Sequence, residues 1–167
     1  MTFAVGETVV YPNHGAAMVE GIETRHINGE DRTYLVLRMM DQSSLVVRVP
    51  ACNLDRVGVR DVVDKERLDD VFALLRADGT EEPATWSRRY SLNVDRLRRG
   101  TVTSIAEVVR DLSRRQRDGL LSTAEGRMLS KARRLLVSEL AVCGEINESQ
   151  AQAALDEALA RQSSCTG

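Results

Sequence analysis

Apolar and polar residues alternate along the chain through residue 50, and beyond it apolar residues recur with helical spacing. Period-two runs predict five short strands, at Phe3 to Val5, Thr8 to Tyr11, Ala16 to Arg25, Thr33 to Met39 and Leu45 to Val49. Between them lie the turn-forming stretches Pro12-Asn13-His14-Gly15, Asn28-Gly29-Glu30-Asp31 and Asp41-Gln42-Ser43-Ser44, and Pro50 ends the last strand. A meander this short hides its edges best by closing on itself, which predicts a small SH3-like or Tudor-like barrel over residues 1–53.

Past a link at residues 54–63 the period changes. Leu68, Val71, Phe72 and Leu75 mark one face of a helix from about 65 to 76, and Asp78-Gly79-Thr80-Glu81-Glu82-Pro83 breaks the chain after it. A second helix runs from Trp86 to Arg99, with Gly100 as its stop and Trp86, Tyr90, Val94 and Leu97 down one side. Ser104 with Glu107, and again Ser122 with Glu125, carry the spacing of a capping box, so a helix is expected to start at each. A last helix spans Glu148 to Leu159 behind Asn147, and the tail from 162 to 167 is expected to fray. The predicted fold class is α+β: an N-terminal barrel followed by an all-α domain over residues 64–161.

Charge adds a feature that periodicity does not contain. The net charge of −2 conceals a segment, residues 86–134, with 13 basic and 5 acidic side chains, while every other part of the chain is net acidic. Concentrated positive charge of this kind suits a polyanion. The cations are almost all arginine, whose planar fork grips phosphate in pairs. The cluster Arg110, Arg114, Arg115, Arg117, Arg127, Lys131, Arg133 and Arg134 reads either as phosphate contacts or as a solvated face paired with Asp111, Asp118 and Glu125. Contact with about five phosphates corresponds to a logarithmic salt slope near −4.5.

Catalytic chemistry finds little material. Cys52, Cys143 and Cys165 are scattered, and His14 and His26 have no spaced partners, so no catalytic residue, metal or cofactor is expected. No apolar run approaches the ~18 residues of a membrane span, and residues 1–7 lack a signal-peptide pattern. The expectation is a cytoplasmic monomer without a membrane partner.

Trp86-Ser87-Arg88-Arg89-Tyr90 follows the Pro83 break. A lone tryptophan in the first turn of a helix beside two arginines suits an apolar wedge at a duplex surface. By residue type alone, a tryptophan packed between helices is the commoner outcome. On the strands, Arg25, Ile27 and Arg48 read either as a protein-docking face or as ordinary exposed positions.

The run Val5-Gly6-Glu7-Thr8-Val9-Val10-Tyr11-Pro12-Asn13-His14-Gly15-Ala16-Ala17, then Tyr34-Leu35-Val36-Leu37, Val47-Arg48-Val49-Pro50, Val57-Gly58-Val59-Arg60-Asp61, Glu81-Glu82-Pro83-Ala84-Thr85-Trp86-Ser87-Arg88-Arg89-Tyr90 and Ala106-Glu107-Val108-Val109-Arg110-Asp111-Leu112, resembles the CarD (CdnL) family of bacterial transcription regulators. The resemblance covers about residues 1–160. It implies a Tudor-like domain that binds the RNA polymerase β subunit through Arg25, Ile27 and Arg48, and a helical DNA-binding domain. It further implies that the open promoter complex formed with the housekeeping sigma factor is stabilised by Trp86 in the minor groove at the upstream edge of the bubble. Trp86, Arg88, Arg89, Arg114, Arg115, Arg127, Lys131 and Arg134 form the expected DNA-binding set. Ser91 and Gly126 stand where the family commonly has a DNA-contacting lysine, and Ser113 where it often has a second tryptophan. These departures leave open a second reading, a specialised paralogue with weak DNA binding that acts as a protein adaptor on the polymerase.

Overall fold

Alternation builds the first unit, Met1–Val62. Its strands β1 (Thr8–Tyr11), β2 (Gly15–Ile27), β3 (Glu30–Met39), β4 (Val46–Pro50) and β5 (Arg60–Asp61) form one antiparallel sheet in the order β4-β3-β2-β1-β5. The structure is a computed structural model describing residues 3–12, 14–40, 44–77 and 83–162. The turns expected at 12–15 and 41–44 and the break at 78–83 lie partly outside the described residues, as does all but Gln162 of the tail.

The β2–β3 hairpin is longer than expected because its turn needs only Asn28 and Gly29, with φ of 54° and 82°. Positive φ at both central positions matches the right-handed twist of the strands, and asparagine and glycine tolerate it best. A bulge between Val19 and Gly21 shifts the β2 register. Beyond it Gly21, Glu23, Arg25 and Ile27 share one face of the strand. The opposite side carries the core of Val9, Ala17, Val19, Leu35, Leu37, Met39 and Val49, joined by Phe3, Leu54 and Val59.

Two expectations are corrected here. Phe3 to Val5 is not a strand: Phe3 is buried in the core, and the fifth strand is Arg60–Asp61, which pairs with Val9 and Val10 of β1. Residues 54–62 are therefore not a free linker. They form a short helix α1 (Leu54–Val57), turn through Gly58 and supply Leu54 and Val59 to the sheet's core. A two-residue strand is too short to show a period, so pattern reading missed it.

The second unit, Val63–Gly167, packs α2 (Lys65–Arg76), α3 (Trp86–Arg99), α4 (Val102–Arg117), α5 (Thr123–Gly144) and α6 (Glu148–Gln162). Helix α4 lies against α2, α3 and α5, and Val108, Val109 and Leu112 on it are fully buried. Gly100 ends α3 at φ 68°, a left-handed cap that glycine adopts without strain. The cap of α4 is Thr101, whose hydroxyl accepts from the Ser104 N–H at 3.1 Å, and not Ser104 as its spacing to Glu107 suggested. The Ser122–Glu125 box forms as expected at α5, and Asn147 and Gln150 bond reciprocally at the start of α6.

The interface of α3 with α4 contains buried charge. Arg96 reaches Asp111 at 2.9 Å, Glu107 at 3.0 Å and Asn93 at 3.1 Å, while Arg110 takes the other Asp111 oxygen at 2.9 Å. Such groups are tolerated because each is paired, and removing one partner strands the others. The network ties α3 to α4.

Candidate nucleic-acid interface

Trp86 is the first residue of α3, set there by the Thr85 cap, whose hydroxyl accepts from the Arg88 N–H. Trp86 is 45% exposed, high for the only tryptophan of a chain with an ample core. Four turns of α3 have two inward faces, one that the apolar spacing foretold and one that it did not. Tyr90, Val94 and Leu97 pack against the core, while the most buried positions are Arg89, Asn93 and Arg96.

The indole is held on two sides. Tyr90 stacks on it with centroids 5.0 Å apart and rings inclined by 15°. Its Nε1–H lies 3.2 Å from Glu125 Oε1 and 3.3 Å from Ser122 Oγ, so one donor is shared between two acceptors of the α5 cap. Glu125 is fully buried. Besides the indole it receives the Ser122 hydroxyl at 3.0 Å and Arg89 Nε at 3.2 Å, with Arg115 Nε 3.6 Å away.

Burial alone raises the Glu125 pKa, but the bonds from Arg89 and Ser122 outweigh it and hold the carboxyl below the ordinary glutamate range. A depressed folded-state pKa gives stabilisation that is complete above the unfolded-state value and lost as pH falls through the lower folded one. Emission of the single tryptophan is therefore expected to stay constant from neutral pH down to the ordinary glutamate range and to change only below it. A transition centred above that range contradicts the ion-paired state.

The expected DNA-binding residues divide. Arg88, Arg127, Lys131 and Arg134 are exposed, the last three forming one stripe on α5 at helical spacing. Arg89, 8% exposed, and Arg115 turn inward to Glu125 rather than outward, where a surface phosphate contact was expected of both. Arg114 is half-buried, with one guanidinium nitrogen enclosed and without a hydrogen-bond partner among the described residues. Ser113 is buried and its hydroxyl has no hydrogen-bond partner among the described residues. Sequence reading missed Glu125 and Ser122 as supports of the tryptophan. Their capping spacing was visible, but its second use was not.

On the first unit Arg25 and Arg48 converge on a single oxygen of Glu23, at 3.3 and 3.1 Å. Glu23 is held below the ordinary glutamate range chiefly by the Arg48 bond. Tyr34 pairs with Glu23 on one side and Pro50 on the other, so the Arg25–Ile27 end of β2 and Arg48 of the edge strand β4 lie on one face of the sheet.

Among the described residues no helix is long and apolar enough to cross a membrane, and no group of three or more His, Cys, Asp or Glu is placed to hold a metal ion.

Comparison with known proteins accounts for both units. Residues 3–63 match the family model for the CarD-like/TRCF RID domain, and residues 70–156 match that for the CarD C-terminal domain. YdeB of Bacillus subtilis strain 168 is 34% identical over 148 residues, spanning 89% of this chain and 96% of that protein. The solution structure of the 72-residue N-terminal domain of Myxococcus xanthus CarD is 36% identical over 36% of this chain and 79% of its own, with a TM-score of 0.30. Matching family models over both units and a relative aligned along nearly its whole length place the chain in the CarD family.

Proposed function

We propose that the chain is a transcription regulator that docks on the β subunit of RNA polymerase, in holoenzyme with the housekeeping sigma factor, and stabilises the open promoter complex. The sheet face of Arg25, Ile27 and Arg48 makes the docking contact. Trp86 sets its exposed ring into the minor groove at the upstream edge of the melted bubble, and Arg88, Arg127, Lys131 and Arg134 meet phosphates. The observation that carries this reading is the braced, half-exposed Trp86. Membership of the CarD family and likeness to YdeB, which is named as a candidate transcription factor, support it.

The mechanism tolerates weak DNA affinity. Docking on polymerase holds the helical unit near promoter DNA at an effective concentration that reaches about the millimolar range. Unstacking a base step costs a few kcal/mol, and stacking a base on an aromatic ring returns about 1–3 kcal/mol. The wedge therefore gains most where the duplex is already opening, and this difference between closed and open states shifts the equilibrium. Reactivity of unpaired promoter thymines to permanganate is expected to rise when the chain joins polymerase. An unchanged pattern rules the proposal out.

The adaptor reading keeps one specific support, the inward turn of Arg89 and Arg115. Salt titration of binding to fork-junction DNA separates the two. Four exposed cations correspond to a logarithmic slope of about −3.6, whereas an adaptor gives a slope near zero. Gly126 permits a test in the opposite direction: a Cβ built there meets only Leu121 Cδ2, at 3.8 Å. Gly126→Lys is expected to stabilise α5 by about 1 kcal/mol and to tighten fork-junction binding severalfold. Unchanged affinity in a correctly folded variant excludes this turn of α5 from the DNA contact.

A further inference from the structure

The indole carries one hydrogen-bond donor, and that donor is already engaged before any nucleic acid arrives. Nε1–H faces Glu125 Oε1 at 3.2 Å and Ser122 Oγ at 3.3 Å. The same carboxylate is fixed from behind by Arg89 at 3.2 Å and by the Ser122 hydroxyl at 3.0 Å, and it is fully buried. Charge-assisted bonds to a buried carboxylate are stronger than neutral ones. Tyr90 covers one face of the ring. Apart from Nε1–H, which is engaged, every atom of the ring is apolar carbon.

We propose that Glu125 is a positioning residue for Trp86, which locks the indole in its exposed orientation and withholds its only donor, so that the tryptophan meets DNA as an apolar surface that reads no base. This inference rests on the wedge reading of Trp86 and assigns it a support and a recognition rule. A free indole N–H in a minor groove can donate to adenine N3 or thymine O2, acceptors that every A·T pair presents. Engagement by Glu125 removes that option. Ordering of the ring before contact also removes a conformational cost that a swinging tryptophan meets on binding.

The sole tryptophan gives one indole N–H resonance, so the wild-type protein tests the idea without any variant. Exchange of that proton with solvent is expected to be roughly tenfold or more slower than in free tryptophan, and to stay slow when fork-junction DNA is added. Exchange at the free rate, or protection that passes from Glu125 to the DNA, overturns the proposal. Glu125→Gln, with one acceptor oxygen in place of two, is expected to speed local indole rotation in time-resolved anisotropy and raise iodide quenching. It is also expected to shorten open-complex lifetime severalfold while polymerase capture is retained. Glu125→Asp, which keeps the charge but draws it back, should restore part of the folding stability without restoring ring order. Unchanged anisotropy in Glu125→Gln rejects the positioning role even if Trp86 itself proves essential. If Trp86→Ala leaves promoter opening untouched while the N–H is protected, the wedge reading fails and the positioning of the ring stands.

Discussion

Trp86→Ala is expected to remove most of the chain's effect on open-complex lifetime while leaving its capture by polymerase intact. Stacking of one base on an aromatic ring is worth about 1–3 kcal/mol, which corresponds to a roughly 5- to 150-fold loss in the stabilising factor. The thermal midpoint should fall by less than for a fully buried aromatic residue, because Trp86 is 45% exposed. Trp86→Phe, which keeps an aromatic face but neither the N–H nor the full ring area, should fall between the two. The measurement is decay of open complexes after competitor challenge, run beside thermal melts of the same proteins. A large fall in the midpoint with a proportionate fall in activity identifies a packing residue instead.

Arg25→Glu is expected to weaken capture of a β-subunit fragment by about 100-fold or more, since like charges brought together at an interface cost several kcal/mol. In the free chain the change costs little, because the Arg25–Glu23 pair is exposed and such pairs contribute about 0–1 kcal/mol. The new carboxylate stands beside Glu23, so the face that held two cations around one anion becomes net negative. Arg48→Glu should act alike, and Ile27→Ala less strongly. Pull-down with purified fragment checks this. Full retention by both charge reversals removes the docking contact from this face.

The parts of the fold that repeat were legible, and the parts that depend on a distant partner were not. Alternation located β1, and helical spacing located α2 and α3 at their observed bounds. The Asn28-Gly29 turn declared the hairpin. By contrast, Arg60–Asp61 carries no pattern of its own and is a strand only because β1 offers an unpaired edge. Ser104 and Thr101 both have capping chemistry, and packing of Val102 against the core selects the earlier start. The site divides the same way. The tryptophan and its arginines announced themselves by type, but Arg89 and Arg96 lie buried because Glu125, Glu107 and Asp111 wait for them on other helices, and Arg110 lies buried against Asp111, its neighbour on α4. Charge counting reads how many cations a segment holds. It does not read which of them face inward.

If the wedge acts by preferring melted DNA, opening and binding must be linked by one free energy, in both directions. The factor by which the chain favours opening must then equal the factor by which opening tightens its own binding. The direct test measures its affinity for polymerase on a fully duplex promoter held closed and on the same promoter carrying a pre-melted bubble. Tighter binding to the open form, by the same factor as the shift in opening and lost in Trp86→Ala, is the expected result. Equal affinity for the two forms contradicts a wedge that selects the open complex.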